Sequence, residues 1–279
     1  MPLEVMLRGY PCRGWQALTR ILREEKSKLL KYHYVWLAWS SAFLAPWIAL
    51  YIANPLLRGI MLRTSAITSL FGLTERRFVP NYWNPPSLFE LAQRTGFDFE
   101  SVIFSYAIGG IGVTLYHFFS RTHVAPVAAG TRREPLHRFH KVGLLAAPVA
   151  FIPLALLPWN VIYPVIVSLL LGSVTSVVCR PHLARATVTG GVLFFGLYAL
   201  FMLGLTWFTP GYIPQVWNLP ALSGGLVFGI PTEELVFGAG FGMYWSSVYE
   251  HFTWTESVPH VRDNAHDAAT PTFSSFLAT

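Results

Sequence analysis

Charge is scarce in this chain. Only 12% of its 279 residues are charged, where an ordinary soluble domain carries about a quarter. With 53% hydrophobic residues and a mean hydropathy of +0.44, a soluble globular domain is excluded in favour of an integral membrane protein. Cysteine is nearly missing too. Cys12 and Cys179 provide neither a disulfide framework nor a metal-binding spacing. The formal net charge of +6 does not point to nucleic acid. The basic residues fall between apolar runs, without the aromatic interleaving of single-strand binders. The first 33 residues lack a continuous apolar core, so no cleavable signal peptide is read.

What the chain does have is a series of long apolar runs. Ahead of them, Trp15, Leu18, Ile21, Leu22, Leu29 and Leu30 alternate with Arg20, Arg23, Lys26, Lys28 and Lys31. That is a basic amphipathic helix suited to the cytoplasmic membrane surface or to docking a partner. Tyr34–Ile52 is the first span, and Pro46 should kink it. Leu56–Leu73 is long enough to cross, but Arg58, Arg63, Thr64, Ser65 and Thr68 make it poorly lipophilic. Val102–Phe119, Leu144–Leu157, Val161–Val178, Val188–Phe208 and Leu226–Val248 follow. The fold expected is all-α, a polytopic bundle of six to seven transmembrane helices in the cell membrane. Its parts are a leader (1–33), a first membrane repeat (34–119) and a basic cytoplasmic linker (120–141). An added helix or helices with a second repeat (142–254) and a polar, disordered tail (255–279) complete it.

The leader, Arg121–Lys141 and the turn Cys179–Ala186 are all basic. The positive-inside rule puts all three in the cytoplasm. That favours six spans with Leu56–Leu73 re-entrant, both termini inside and both acidic helix starts outside.

The two halves share an ordered pattern. Phe78-x-Pro80-x-Tyr82 matches Phe208-x-Pro210-x-Tyr212, and Gly96, Glu100 and Phe104 match Gly229, Glu233 and Phe237 at a constant offset. Gly109 and Tyr116 fall on Gly242 and Tyr249. The expectation is a pair of parallel repeats about an axis along the membrane normal, with Glu100 facing Glu233.

The second acidic start is Pro231-Thr232-Glu233-Glu234. Proline suits a helix start, acidic residues complement its dipole, and carboxylates within a membrane are functional candidates. The bland reading is a stabilised helix start at the membrane surface. Glu233, Phe237 and Phe241, spaced i, i+4, i+8, should stack a carboxylate over two rings.

Pro231-Thr232-Glu233-Glu234, followed by Phe237 and preceded by a Tyr/Pro-rich loop, resembles the Pro-x-Glu-Glu signature of small membrane lycopene cyclases. These are the heterodimeric or fused kind of actinobacteria, archaea and fungi. The first half departs from the pattern: Phe97-Asp98-Phe99-Glu100-Ser101 lacks the proline and has serine for the second acid. The resemblance implies an isomerase-class enzyme. It would protonate the end group of an acyclic carotenoid, let the cation close a ring, and remove a neighbouring proton. No redox cofactor is needed by stoichiometry. The protein must supply a carboxyl group that keeps its proton, which low dielectric favours. On this reading Glu233 is the acid and Glu234 or Glu100 its partner, and Phe104, Phe237, Phe241, Tyr244 and Trp245 line the substrate and stabilise the cation. The partners implied are a hydrophobic isoprenoid within the bilayer and the lipid itself. The alternative left open is a non-catalytic membrane scaffold or isoprenoid-binding homologue.

Other motifs carry less. Gly238-x-Gly240 lacks the third glycine of a dinucleotide fingerprint, because Met243 holds that place. Gly238 and Gly242 instead suit close helix packing. An intramembrane CAAX-type protease needs an arginine where Gly238 stands. Glu233 and His251 are about 27 Å apart along a helix, so His117 and His251 are expected to anchor at the interface, away from the acids. His137 and His140 are expected to be solvated or lipid-facing, and no metal site is expected.

Overall fold

The computed structural model describes residues 32–259, apart from 129, 131, 133 and 134. The amphipathic leader up to residue 31, with Cys12, and the tail from residue 260 lie outside the described residues.

The first crossing helix comes in two pieces, α1 (Val35–Ala42) and α2 (Leu44–Ala53). The break falls at Phe43. Pro46 removes one backbone donor and its ring crowds the carbonyl four residues earlier, at Ala42. After Asn54 and a 3-10 turn at Pro55–Leu57, α3 (Arg58–Ser69) runs on as a 3-10 helix to Arg77. α4 (Phe99–Ser120) lies against it. β1 (Thr122–Pro126), α5 (His140–Leu154), α6 (Ile162–Cys179) and α7 (Ala184–Phe208) follow. A small hairpin of β2 (Leu226–Val227) and β3 (Ile230–Pro231) leads into α8 (Thr232–Thr253), and β4 (Thr255–Pro259) closes the described chain.

The molecule is an all-α membrane helix bundle. Five helical stretches are long and apolar enough to cross a membrane: Val35–Ala53, Pro55–Arg77, Phe99–Ser120, Ile162–Cys179 and Pro181–Phe208. Ile48, Ile52, Ile67, Val149, Val178, Val192 and Leu200 are exposed around the outside, as in helices that are apolar on all faces. Inside, Trp36, Phe43, Trp47, Ile111, Phe194, Met202 and Phe241 form one core.

The Leu56–Leu73 stretch, expected to be re-entrant, lies within a helical stretch that is long and apolar enough to cross. Leu57 and Ile60 pack with Val113 at one end of α4, and Gly72 lies against Val102 at the other. The stretch therefore runs the length of its neighbour. Thr64, Ser65 and Thr68, which make it look poorly lipophilic, are buried rather than turned to lipid. Thr68 sits on Gly109 and Ser65 on Gly110, while Trp47 Nε1 donates to Ser65 Oγ at 2.9 Å. Small residues allow such close helix approach. As a result, the two described basic turns share one end of the bundle, whereas Tyr32 begins at the other, donating to the Pro210 carbonyl at 2.7 Å.

Two further expectations change. The tail is not disordered from residue 255, because Thr255–Pro259 pairs antiparallel with Thr122–Pro126. Nor are His137 and His140 solvated or lipid-facing. His117, His137, His140 and His251 are all buried, and the rings of His140 and His251 are 4.3 Å apart. They lie at the end of α8 away from its glutamates, as the helical distance requires. The bundle thus has an acidic end and a histidine end.

Candidate active site

The span expected from Leu226 starts later. Phe228 and Gly229, both at positive φ (52° and 80°), make the two-residue turn between β2 and β3. Such a turn matches strand twist only with left-handed residues, which is why glycine stands there. Thr232 N then bonds Gly225 O at 3.0 Å, and α8 leaves the hairpin with Glu233 and Glu234 in its first turn.

The two glutamates enter different surroundings, because adjacent helical residues point about 100° apart. Glu234 is buried and accepts three hydrogen bonds. Tyr82 Oη and Trp217 Nε1 (2.7 Å) donate to Oε1, and Tyr198 Oη donates to Oε2 at 2.5 Å. All three donors are neutral. Burial, with the Glu234 carboxylate opposite, holds the Tyr82 phenol well above its ordinary pKa, so it keeps the proton that it donates. Tyr82 reaches this place because the two Tyr/Pro loops are knitted together. Asn84 N bonds Val216 O at 2.8 Å, Asn218 N bonds Tyr82 O at 2.9 Å, and Trp83 bridges Trp217.

Glu233 faces α6 and the surface loop. Its Oε1 accepts from Tyr163 Oη and Ser223 N, both at 2.8 Å, and Thr232 Oγ1 lies 3.3 Å from Oε2. Tyr163 also borders a cleft of about 550 Å³ with Arg77, Asn81, Trp159, Asn160 and Asn218. Glu233 is thus one phenol away from a polar, open mouth. Glu234 lies deeper, among rings.

The model of the lycopene cyclase family matches residues 160–252. That stretch of the chain is lycopene cyclase-like. No curated protein and no solved structure matches the chain. The matched stretch holds both glutamates and the donors Tyr163, Tyr198 and Trp217; Tyr82, Glu100 and Phe104 precede it.

Within the cyclase-like stretch, Phe237 and Phe241 form a wall, 5.6 Å apart. Glu233, one turn earlier on the same helix, is held by Tyr163 and Ser223. Phe237 packs edge-on against Tyr198 at 5.7 Å, the residue that bonds Glu234, so the wall continues from Glu234. Phe194 lies 4.9 Å from Phe241, and Trp245 continues the row at 6.1 Å. Tyr244 turns instead onto Gly172 of α6. Phe104 reaches the same interior from α4, 6.4 Å from Tyr198. Gly238 makes room for the Tyr198 ring, where a Cβ would come within 2.9 Å of it, and Gly242 does the same for Phe194 at 2.5 Å. The packing reading of these glycines describes their surroundings.

Glu100 does not meet Glu233. It is fully buried, and its Oε1 accepts from Leu88 N at 2.7 Å. It belongs to a separate acidic group with Glu75 and Asp98. Glu75 accepts from Trp83 Nε1 at 2.6 Å. Asp98 caps α4 through Ser101 N at 2.5 Å. Burial raises the Asp98 carboxyl to about 6, against the hydrogen bonds from Ser101. Asp98 Oδ2, Glu100 Oε2 and Tyr212 Oη find no hydrogen-bond partner among the described residues.

Sequence reasoning missed Tyr163, Tyr198 and Trp217 as carboxylate partners, and it missed Glu75. The Tyr/Pro loop signature did contain Tyr82, without its target. Tyr198, in mid-helix among Leu197 and Ala199, carries no local signal at all.

Proposed function

We propose that the protein is a membrane carotenoid cyclase acting on the end group of an acyclic carotenoid such as lycopene, with Glu233 and Glu234 as its chemical pair. The observation that carries this reading is Glu234. It is a buried carboxylate held by three neutral aromatic donors, at the head of an aromatic wall.

Glu233, reached from the polar mouth through Tyr163, gives its proton to the terminal trisubstituted alkene. A C–H bond forms and a tertiary cation appears. The neighbouring double bond attacks that cation, closing a six-membered ring and moving the charge into it. Glu234 stands as the fixed anion opposite this charge. Preorganised electrostatic stabilisation of this kind is usually the largest catalytic contribution. Phe237 and Phe241 add cation–π attraction of about 0.5–2 kcal/mol each. A carboxylate of the pair then removes a proton beside the cationic carbon, and the ring alkene forms. The product is an isomer of the substrate, with no net oxidation or reduction. The substrate is taken from the bilayer, and the protein works as a multi-pass protein of the cell membrane.

Expression in a lycopene-accumulating bacterial host, followed by pigment chromatography, tests the reading. Monocyclic or bicyclic carotene is expected, and Glu234→Gln and Glu233→Gln should each abolish it while inserting into the membrane at wild-type levels. Cyclic product undiminished in both variants would remove the pair from the chemistry. Unchanged lycopene with well-inserted wild-type protein would overturn lycopene as the substrate and favour the non-catalytic, isoprenoid-binding alternative.

A further inference from the structure

The histidine end gathers side chains that the proposed cyclisation does not use. His140 opens α5, Cys179 ends α6, and His251 lies in the last turn of α8. One donor atom from each lies within 4.8 Å of the other two. All three residues are more than nine-tenths buried. His137 stands beside them, its Nδ1 3.6 Å from Cys179 Sγ.

A cluster of histidines in a membrane bundle could simply be packed and hydrogen-bonded. Two atoms speak against that here. His140 Nδ1 and His251 Nε2 are buried without a hydrogen-bond partner among the described residues, and such atoms usually have one. Both belong to the residues that converge on the Cys179 sulfur. His251 is also oriented for ligation, since its Nδ1 lies 3.2 Å from Ser176 Oγ. An outer hydrogen bond on one ring nitrogen leaves the other to bind. Trp254 stacks on His140 at 4.0 Å and meets His137 edge-on at 5.1 Å, which fixes both rings. A Cβ on Gly143 would come within 3.0 Å of His251, so this ring needs a glycine opposite it.

We propose that His140, Cys179 and His251 bind one zinc ion, with His137 as a fourth protein ligand. One thiolate with imidazoles is a donor set that suits zinc. Zinc–nitrogen and zinc–sulfur bonds of about 2.0–2.3 Å place ligand atoms roughly 3.3–3.8 Å apart, so His140, Cys179 and His251 need to close by only about an ångström. Arg180 follows Cys179 directly in the chain. Its guanidinium is engaged elsewhere, by the Glu250 carbonyl at 2.7 Å and by His182 Nε2 at 3.0 Å. With four protein ligands supplied, the site is structural. It would tie α5 to the ends of α6 and α8.

The test uses full-length protein in detergent, without a polyhistidine tag and with Cys12→Ser, so that Cys179 is its sole thiol. After chelator treatment, zinc alone is titrated and bound metal is measured by atomic emission. Cobalt is titrated in parallel to read thiolate-to-cobalt charge transfer. One zinc per chain, a charge-transfer band that zinc bleaches, and a higher melting temperature with zinc are expected. Cys179→Ser should lose the band, and Cys179→Ser or His251→Ala should bind zinc at least tenfold more weakly. Absence of the band in the parent protein overturns the site even where the variants fail to fold. So does zinc retention by Cys179→Ser equal to that of the parent.

Discussion

The two acidic helix starts differ in what surrounds their carboxylates more than in how many they have. α4 and α8 each run for 22 residues. Each ends at a residue with positive φ, Arg121 or Trp254, and each is followed by one of the two paired five-residue strands. At the start of α4, Asp98 and Glu100 lie near Glu75, and two of their buried oxygens lack partners among the described residues. At the start of α8, phenols, an indole and a backbone amide satisfy both glutamates. Carboxylates at a helix start are thus no site by themselves. The donors aimed at them, and the rings beyond, distinguish the second cluster. The cyclase family match covers this cluster and stops short of the first.

The sharpest way to break this comparison is to neutralise one acid on each side. Glu234→Gln should cost at least about 10²-fold in cyclic product, the scale of losing an acid–base group. Glu100→Gln should leave product unchanged. Pigment analysis of both strains decides, and equal losses would mean that the two clusters work together.

The donors come next. Tyr198→Phe removes a single hydrogen bond to Glu234 Oε2. A hydrogen bond to a charged group is worth about 1.5–3 kcal/mol, so product formation should fall roughly 10- to 100-fold. Tyr82→Phe should fall similarly, even though Tyr82 lies outside the family match. A normal rate in Tyr82→Phe would confine the site to the matched stretch. Initial rates in isolated membranes separate these outcomes.

How much of this could be read from the chain follows from the range of each contact. The apolar runs, the Glu233–Glu234 pair and the glycine packing are local patterns, and the bundle follows them. The carboxylate donors come from residues far away in sequence, and Tyr198 looks like any apolar helix residue. Glu75 precedes Arg76 and Arg77 and passes for part of a solvated polar turn, yet it is buried beneath Trp83. The re-entrant reading of Leu56–Leu73 rested on Thr64, Ser65 and Thr68, which are buried; hydropathy counts polarity without knowing which face a residue takes. The histidine cluster was missed because its members come from three helices.

Gly238→Ala probes the packing beneath the donor. Its Cβ would meet Tyr198 Cδ1 at 2.9 Å, and such overpacking costs about 1–3 kcal/mol. A lower melting temperature and a several-fold loss of product are expected. Stability lost with full activity would mean that the Tyr198 hydroxyl can move without consequence.

The remaining effect belongs to the first cluster and depends on pH. Asp98 has its carboxyl raised by burial from 3.8 to about 6, so the folded state binds its proton more tightly than the unfolded chain does. Its contribution is therefore most favourable below pH 4. It is lost progressively as pH rises towards 6, because the folded protein must then hold a buried carboxylate. The loss reaches about 3 kcal/mol at neutral pH. Asn caps a helix as well as Asp, so Asp98→Asn should keep the bond from Ser101 N and remove the titration. Melting curves from pH 4 to 7.5 should show the variant equal to wild type at the acid limit and more stable above pH 6. A variant less stable at pH 7 would show that the Asp98 charge is used, and the first cluster would then need a role of its own.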